Sequence, residues 1–288
     1  MKPDNLYTKI FLDSGDPAET REIMDVLGFL DGQTTNPTLI ARNPAAARRI
    51  EEGKKFNEKE IYDFYKEVVA EISGLIPDGS VSVEVYADKE TEHDPMYEQS
   101  KEMFEWITNA HIKFPTTEIG LWAAEKAVGE GMRVNMTLCF SQEQAAAVYA
   151  ATNDAKPGQV FVSPFIGRLD DRDENGMDLI GNIKKMYAGG DGHIDLLAAS
   201  IRTFDHFMAS LAAQSEIITA PRKILLEWAE KGMPIPKEDY EYPVEGLKEI
   251  PYREIDLEKS WHDYDYQHEL TDSGIANFSA DWNFLIGK

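Results

Sequence analysis

Short runs rich in Val, Ile, Leu and Phe alternate with longer amphipathic stretches along most of the chain. Eight of the short runs read as strands: KIFLDS (9–14), GFLDGQTTN (28–36), SVSVEVYA (80–87), AHIKFP (110–115), MRVNMTL (132–138), QVFVSPF (159–165), HIDLLAAS (193–200) and SEIITA (215–220). Between them apolar residues recur at helical spacing over 17–27, 57–75, 96–110, 117–131, 141–152, 177–190 and 202–214, and again over 222–232 after the last strand. Pro17 suits a first helical turn, with Asp16 placed to cap it. Strands alternating with helices predict βαβ units and a parallel sheet. Eight units in roughly 220 residues fit a closed (β/α)8 TIM barrel better than an open sheet, which would leave two edge strands exposed.

The barrel is expected over residues 1–232, followed by a helical or irregular extension over 233–288. The stretch 237–288 carries 5 basic and 13 acidic residues together with many aromatics, a composition that argues against a simple disordered tail. We expect it to wrap the barrel, cover an entrance or meet a neighbouring subunit, which leaves a homo-oligomer open.

Charge narrows the partners. The 288 residues hold 29 Lys and Arg against 52 Asp and Glu, a net −23, which repels a phosphate backbone and anionic lipid alike and so excludes nucleic acid and membrane as partners. An anionic small molecule would need local cations. The N-terminus MKPDNLYTKIFLDSGD has no basic head followed by a long apolar run, and no window approaches about 18 uninterrupted apolar residues, so we expect a cytoplasmic protein. The single Cys139 cannot close an intrachain disulfide and, following Leu138, reads as core. Six histidines without ligand spacing predict no metal site, and LDSGDPAE after the first strand lacks a phosphate-loop pattern, so no nucleotide cofactor is expected.

In a barrel, chemistry gathers at the C-terminal strand ends. Asp13, Asn36, Glu84, Lys113, Thr137, Ser163 and Ser200 all fall late in their strands, with Arg168 and Arg202 just beyond. Lys113, inside the apolar HIKFP, either reaches water or pairs with an acid as a structural cation, or is desolvated, loses its proton more readily and attacks a carbonyl. Glu84 shares its parity with Ser82 and opposes the valines; it can move protons beside a lysine or form a structural salt bridge. With Asp16 assigned to the cap, Asp13 is free for acid/base work or an interior hydrogen bond. Asn135 and Thr137 share a face, either as a buried polar pair or as ligand contacts. Ser200, Arg202 and Arg168 offer a hydroxyl and two guanidiniums, suited to grip an oxyanion or to pair with surface acids.

These residues lie in blocks that resemble the transaldolases: DGQTTNPTLI (31–40), VSVEVYAD (81–88), IKFPTTEIGLWAA (112–124), NMTLCFSQEQA (135–145), VSPFIGRLDD (162–171) and AASIR (198–202) fall in that family's order and at about its spacing. The resemblance covers roughly residues 9 to 221. It implies a (β/α)8 barrel and a cofactor-free class I mechanism acting on sugar phosphates, in the carbohydrate metabolism of the pentose phosphate type. Lys113 matches the Schiff-base lysine and Asp13 the acid/base aspartate. Glu84 and Thr137 match the pair that holds the water used in carbinolamine formation and dehydration. Thr34, Asn36, Ser82, Asn135 and Ser163 match positions lining the donor site, and Arg168, Ser200 and Arg202 match the phosphate set. Relatives that act as fructose 6-phosphate aldolases carry a glutamine in the place of Glu84 and a tyrosine in the place of Phe165, so the residues here favour transfer over free cleavage. Beyond about 222 the resemblance to the long transaldolases lapses, although ELTDSGIANFSADW (269–282) looks like the end of some shorter relatives. TEHDPMYEQS (91–100) and DDRDENGMDL (170–179) are expected to flank the active face and influence acceptor choice. Three functions stay open at this point: transfer, aldol cleavage releasing free dihydroxyacetone, and a non-catalytic sugar-phosphate-binding paralogue.

Overall fold

The computed structural model describes residues 2–237 and 239–288. Eight parallel strands close into a barrel in sequential order, β1 (Lys9–Asp13), β2 (Gly32–Thr34), β3 (Ser80–Glu84), β4 (Ala110–Pro115), β5 (Val134–Cys139), β6 (Val160–Pro164), β7 (Ile194–Ala198) and β8 (Ile217–Ala220), with β8 paired back onto β1. The fold is the expected TIM barrel. The outer layer comprises α1 (Pro17–Leu27), α2 (Pro37–Ala41), α3 (Pro44–Glu51), α4 (Glu58–Leu75), α5 (His93–Phe104), α6 (Glu118–Gly129), α7 (Gln142–Ala151), α8 (Ile166–Asp170), α9 (Gly176–Tyr187), α10 (Phe204–Ala212) and α11 (Arg222–Glu230). Asp16 caps α1 as expected, accepting from the Ala18 amide at 2.9 Å.

Several boundaries differ from the sequence expectation. The strand expected over 28–36 shrinks to Gly32–Thr34, because Gly28 turns left-handed (φ 75°) to end α1 and Asn36 has already left the sheet to cap α2. Helices α2 and α3 were not expected, yet each begins with an Asn cap followed by Pro (Asn36-Pro37, Asn43-Pro44), a start signal visible in the sequence. The segment 91–100 belongs to α5, which starts at His93 rather than 96 and ends at Phe104, because the chain must turn back before β4. Phe165 and Ser200 fall just past β6 and β7.

Register decides what fills the barrel. Phe11, His111 and Phe161 plug its lower half: Phe161 meets Phe11 edge-on at 6.1 Å and stacks on His111 at 4.0 Å. A Cβ at Gly32 would come within 2.5 Å of the Phe11 ring, so only glycine lets that ring cross the axis. Burial holds the His111 pKa down to about 3, keeping the plug neutral. Above it, the inward positions become polar: Asp13 pairs in register with Thr34, Thr34 with Ser82, Glu84 with Lys113, and Lys113 with Asn135.

After α11 the chain runs back around the helical ring. Tyr240 and Tyr242 bond Asp205 and Asp170, the Lys248 carbonyl accepts from the Asn175 amide (2.8 Å), the Ile250 carbonyl accepts from Asn182 (2.7 Å), and the Arg253 backbone is bonded on both sides by Gln142. A short 3-10 turn (Trp261–Asp263) packs on α7, and a final helix, α12 (Glu269–Ile286), crosses the barrel from β5 to α2. Among the described residues no helix is long and apolar enough to cross a membrane.

Candidate active site

The C-terminal mouth of the barrel holds a cavity of about 570 Å³. Asp13, Thr34, Asn36, Lys113, Thr137, Ser163, Phe165, Arg168, Ser200 and Arg202, all candidates from the sequence, line it. Ser82, Glu84 and Asn135 do not reach its surface. They are buried behind the wall, where Ser163 Oγ donates to Asn135 Oδ1 (2.6 Å) and Asn135 Nδ2 donates to Ser82 Oγ (3.1 Å). Ser82 and Asn135 are thus spent on fixing Ser163, a correction to their expected place in the lining that follows from their depth in the strands.

Lys113 is 3% and Glu84 4% exposed. The register places them side by side, with Lys113 Nζ 2.9 Å from Glu84 Oε2 and donating to the Thr35 carbonyl at 3.1 Å. The pair is an ion pair without an aligned hydrogen bond at Oε2, and Thr137 Oγ1 is likewise buried without a protein partner among the described residues. Burial pushes the Glu84 carboxyl above the usual carboxylate range; the Lys113 charge only partly offsets this, and Asp13 adds to it. Burial raises Asp13 in the same way, against the opposing pull of Lys113 and a 2.7 Å bond from Thr34. Two carboxyls with heightened proton affinity therefore flank one amine, an arrangement suited to acid/base work.

Tyr65 on α4 was missed by sequence reasoning. Its hydroxyl accepts from the Glu84 amide (2.9 Å) and meets Thr35 Oγ1 at 2.6 Å. Thr35 Oγ1 donates to the Ser82 carbonyl (2.7 Å), so the Tyr65 proton goes to Thr35. A tyrosine in the helix layer thereby holds both Lys113 partners, Glu84 by its backbone amide and Thr35 by its side-chain hydroxyl. Thr219 of β8, also missed, shares a 2.6 Å bond with Thr34 on the Asp13 side. A tyrosine at an apolar helical position reads as packing, so nothing local distinguishes Tyr65.

The opposite wall is cationic. Arg168 is partly buried, and its guanidinium lies 5.4 Å from the Phe165 ring and 5.5 Å from Phe278 of α12. It makes no ion pair or hydrogen bond among the described residues, whereas Arg202 pairs with Asp171 at 2.8 Å and approaches Ser200 Oγ at 3.3 Å. Ser200 is left-handed (φ 59°), a strained state for a non-glycine residue that turns its loop toward Arg168. A desolvated guanidinium with no ion pair of its own is suited to receive an oxyanion. Gly274 of α12 lets it lie there, since an added Cβ would sit 2.8 Å from Arg168 Nη1 and 2.7 Å from Leu138. Gly274→Ala is expected to weaken binding of inorganic phosphate by roughly three- to tenfold through overpacking; calorimetric titration of the folded variant checks this.

Asn277, Phe278, Ala280 and Asp281 of α12 and Arg42 also line the cavity. None was foreseen as a site residue. Cys139 is fully buried and burial pushes its thiol up to about 12, in keeping with a core position. Among the described residues no group of three or more His, Cys, Asp or Glu is placed to hold a metal ion.

Comparison with known proteins places the chain in a family. Residues 10–288 match the family described as Transaldolase/Fructose-6-phosphate aldolase. A probable transaldolase of Dehalococcoides mccartyi is 35% identical over 274 residues, covering 95% of this chain and 97% of that protein. One of Novosphingobium aromaticivorans is 35% identical over 95% of this chain and 96% of its own. Among solved structures, 3-hexulose-6-phosphate synthase from Salmonella typhimurium superposes with a TM-score of 0.48 at 11% identity, over 78% of this chain and 97% of that one, a likeness too distant to bear on chemistry. Matched from its first strand to its last residue, the chain belongs to the transaldolase/fructose-6-phosphate aldolase family.

Proposed function

We propose that this protein is a transaldolase, moving a dihydroxyacetone unit from a ketose phosphate of the fructose 6-phosphate type to an aldose phosphate through a Schiff base on Lys113, without a cofactor. The observation that carries the reading is the buried Lys113 Nζ, 2.9 Å from a carboxylate of raised proton affinity, in a cavity whose other wall presents the unpaired Arg168.

Glu84 takes a proton from Lys113, and the neutral amine attacks C2 of the donor. The carbinolamine hydroxyl leaves as water with the proton from Glu84, giving the iminium; Glu84 Oε2, ion-paired with Lys113 but without a hydrogen bond, and the unbonded Thr137 Oγ1 suit the holding of that water. Asp13 then removes the C4 hydroxyl proton, the C3–C4 bonding electrons flow into the iminium, and the aldose phosphate departs from an enamine on Lys113. An acceptor aldehyde reverses these steps, and hydrolysis frees the product. Arg168, Ser200 and Arg202 hold the phosphate end of donor and acceptor alike, while Thr34, Asn36 and Ser163 line the three-carbon end. By the same resemblance we assign the enzyme to cytoplasmic carbohydrate metabolism of the pentose phosphate type.

Aldol cleavage with release of dihydroxyacetone is the competing reading. Phe165 opposes it, because a ring without a hydroxyl at the cavity wall has no proton to lend to the enamine. With fructose 6-phosphate alone, glyceraldehyde 3-phosphate is expected to stop near one equivalent per chain; added erythrose 4-phosphate should bring steady turnover. Continuous dihydroxyacetone release without acceptor would make the protein an aldolase instead.

A further inference from the structure

We propose that Tyr242, in the extension, is a positioning residue for the anion site, acting through an Asp170–His206 pair that locks the two arginine-bearing loops together. The inference rests on the function proposed above only in taking the arginine wall as the phosphate end of the cavity.

The geometry is a relay. Asp170 closes α8, the short helix that carries Arg168. Its Oδ1 accepts from the Gly176 amide at 2.8 Å, and its Oδ2 accepts from His206 Nε2 at 2.9 Å and from the Tyr242 hydroxyl. On the other edge of the imidazole, Nδ1 accepts from the Arg202 amide at 3.1 Å. That acceptor role assigns the His206 proton to Nε2, facing Asp170. One carboxylate therefore connects the Arg168 helix to the Arg202 backbone through a single imidazole. His206 is buried, Asp170 is half-buried, and the Tyr242 ring stacks over the imidazole at 5.5 Å.

The loops have little freedom otherwise. The Gly167 amide donates to the Ser200 carbonyl at 3.2 Å, and a Cβ on Gly167 would lie 2.2 Å from that oxygen and 2.4 Å from the Arg202 side chain. Backbone contact and the exposed Arg202–Asp171 ion pair hold the loops adjacent, and the relay adds the link from the end of α8 to the Arg202 backbone. Asp170 pulls in three donors, whose hydrogen bonds outweigh its burial and keep its carboxyl below the usual range, so the acceptor stays charged. Tyr242 does not line the cavity, so this part of the extension acts on the ligand end from behind the wall, whereas α12 of the same extension lines it directly.

Tyr242→Phe keeps the ring and removes the hydroxyl; Asp170→Asn keeps the size and removes acceptance from both His206 and Tyr242. Affinity for inorganic phosphate is expected to fall roughly three- to tenfold in the first and more than about tenfold in the second. Borohydride trapping of phosphate-free dihydroxyacetone on Lys113, read by intact mass, should stay within about twofold of the wild-type extent, because the relay does not touch the amine. Unchanged phosphate affinity in both folded variants would overturn the proposal, as would a parallel loss of phosphate binding and trapping, which marks a general structural role. Failure of the wild type to bind phosphate would overturn it too. A wild type that binds phosphate but gives no adduct would overturn the Lys113 reading alone, with the phosphate ratios still deciding the relay.

Discussion

Lys113→Met is expected to abolish borohydride trapping of the donor fragment and to lower turnover at least about 10⁴-fold, because no neighbouring side chain can replace the amine. Methionine approximates the length of the lysine stem, so the packed wall around position 113 is preserved. The substitution strands Glu84, which is 4% exposed. Breaking a buried ion pair costs about 3–5 kcal/mol when the remaining charge must persist. Here the loss should be smaller, since burial already raises the Glu84 pKa and removing Lys113 takes away the main opposing influence. The carboxyl then takes up a proton and folds neutral. Intact mass after incubation with fructose 6-phosphate and borohydride reads the first effect, and thermal unfolding the second. An adduct of undiminished yield in the folded variant would place the nucleophile elsewhere.

Asp13→Asn separates the bond-breaking step from imine formation. The amide cannot accept the C4 hydroxyl proton, so retro-aldol cleavage should slow by about 10²–10⁴-fold, the usual range for loss of a general base. Lys113 and Glu84 remain paired at 2.9 Å, so imine formation with the donor continues. The trapped adduct should therefore grow from a three-carbon unit in the wild type to the whole six-carbon sugar phosphate in the variant. A second signature is in the pH profile. As a base, Asp13 works only when ionised, and burial raises its pKa above that of an exposed aspartate. Wild-type activity should fall on the acid side at a correspondingly higher pH, and that limb should vanish in the variant. A three-carbon adduct formed at the wild-type rate would show that another group takes the proton.

The site was legible to different depths. Lys113, Asp13 and Thr137 stood out because a polar side chain late in an apolar strand has few places to point in a closed barrel. Ser82 and Asn135 share that parity but sit deeper, and their burial in a chain of hydrogen bonds is a matter of height within the barrel, which alternation does not encode. Tyr65, Thr219 and Tyr242 gave no local signal. Each matters through a partner distant along the chain, as in Thr34 with Thr219 or Asp170 with Tyr242. Gly274 reads as an unfavourable residue inside a helix; its reason is the Arg168 guanidinium lying against it.

The sequence by itself determined the eight strands in order, the parity that sends their polar residues to one mouth, and the residue types of an amine flanked by carboxyls with arginines beyond. Local periodicity carries that information, because side-chain direction in a strand repeats every second residue. Tertiary structure alone decided which carboxylate meets Lys113, which arginine is left without an ion pair, and how the extension reaches both the helical ring and the cavity. Those outcomes depend on inter-strand register, on close approaches such as Gly167 to Ser200, and on the path of 233–268 around α10, α9 and α7. Such contacts join residues far apart in the chain, and their energies exist only once the barrel has closed.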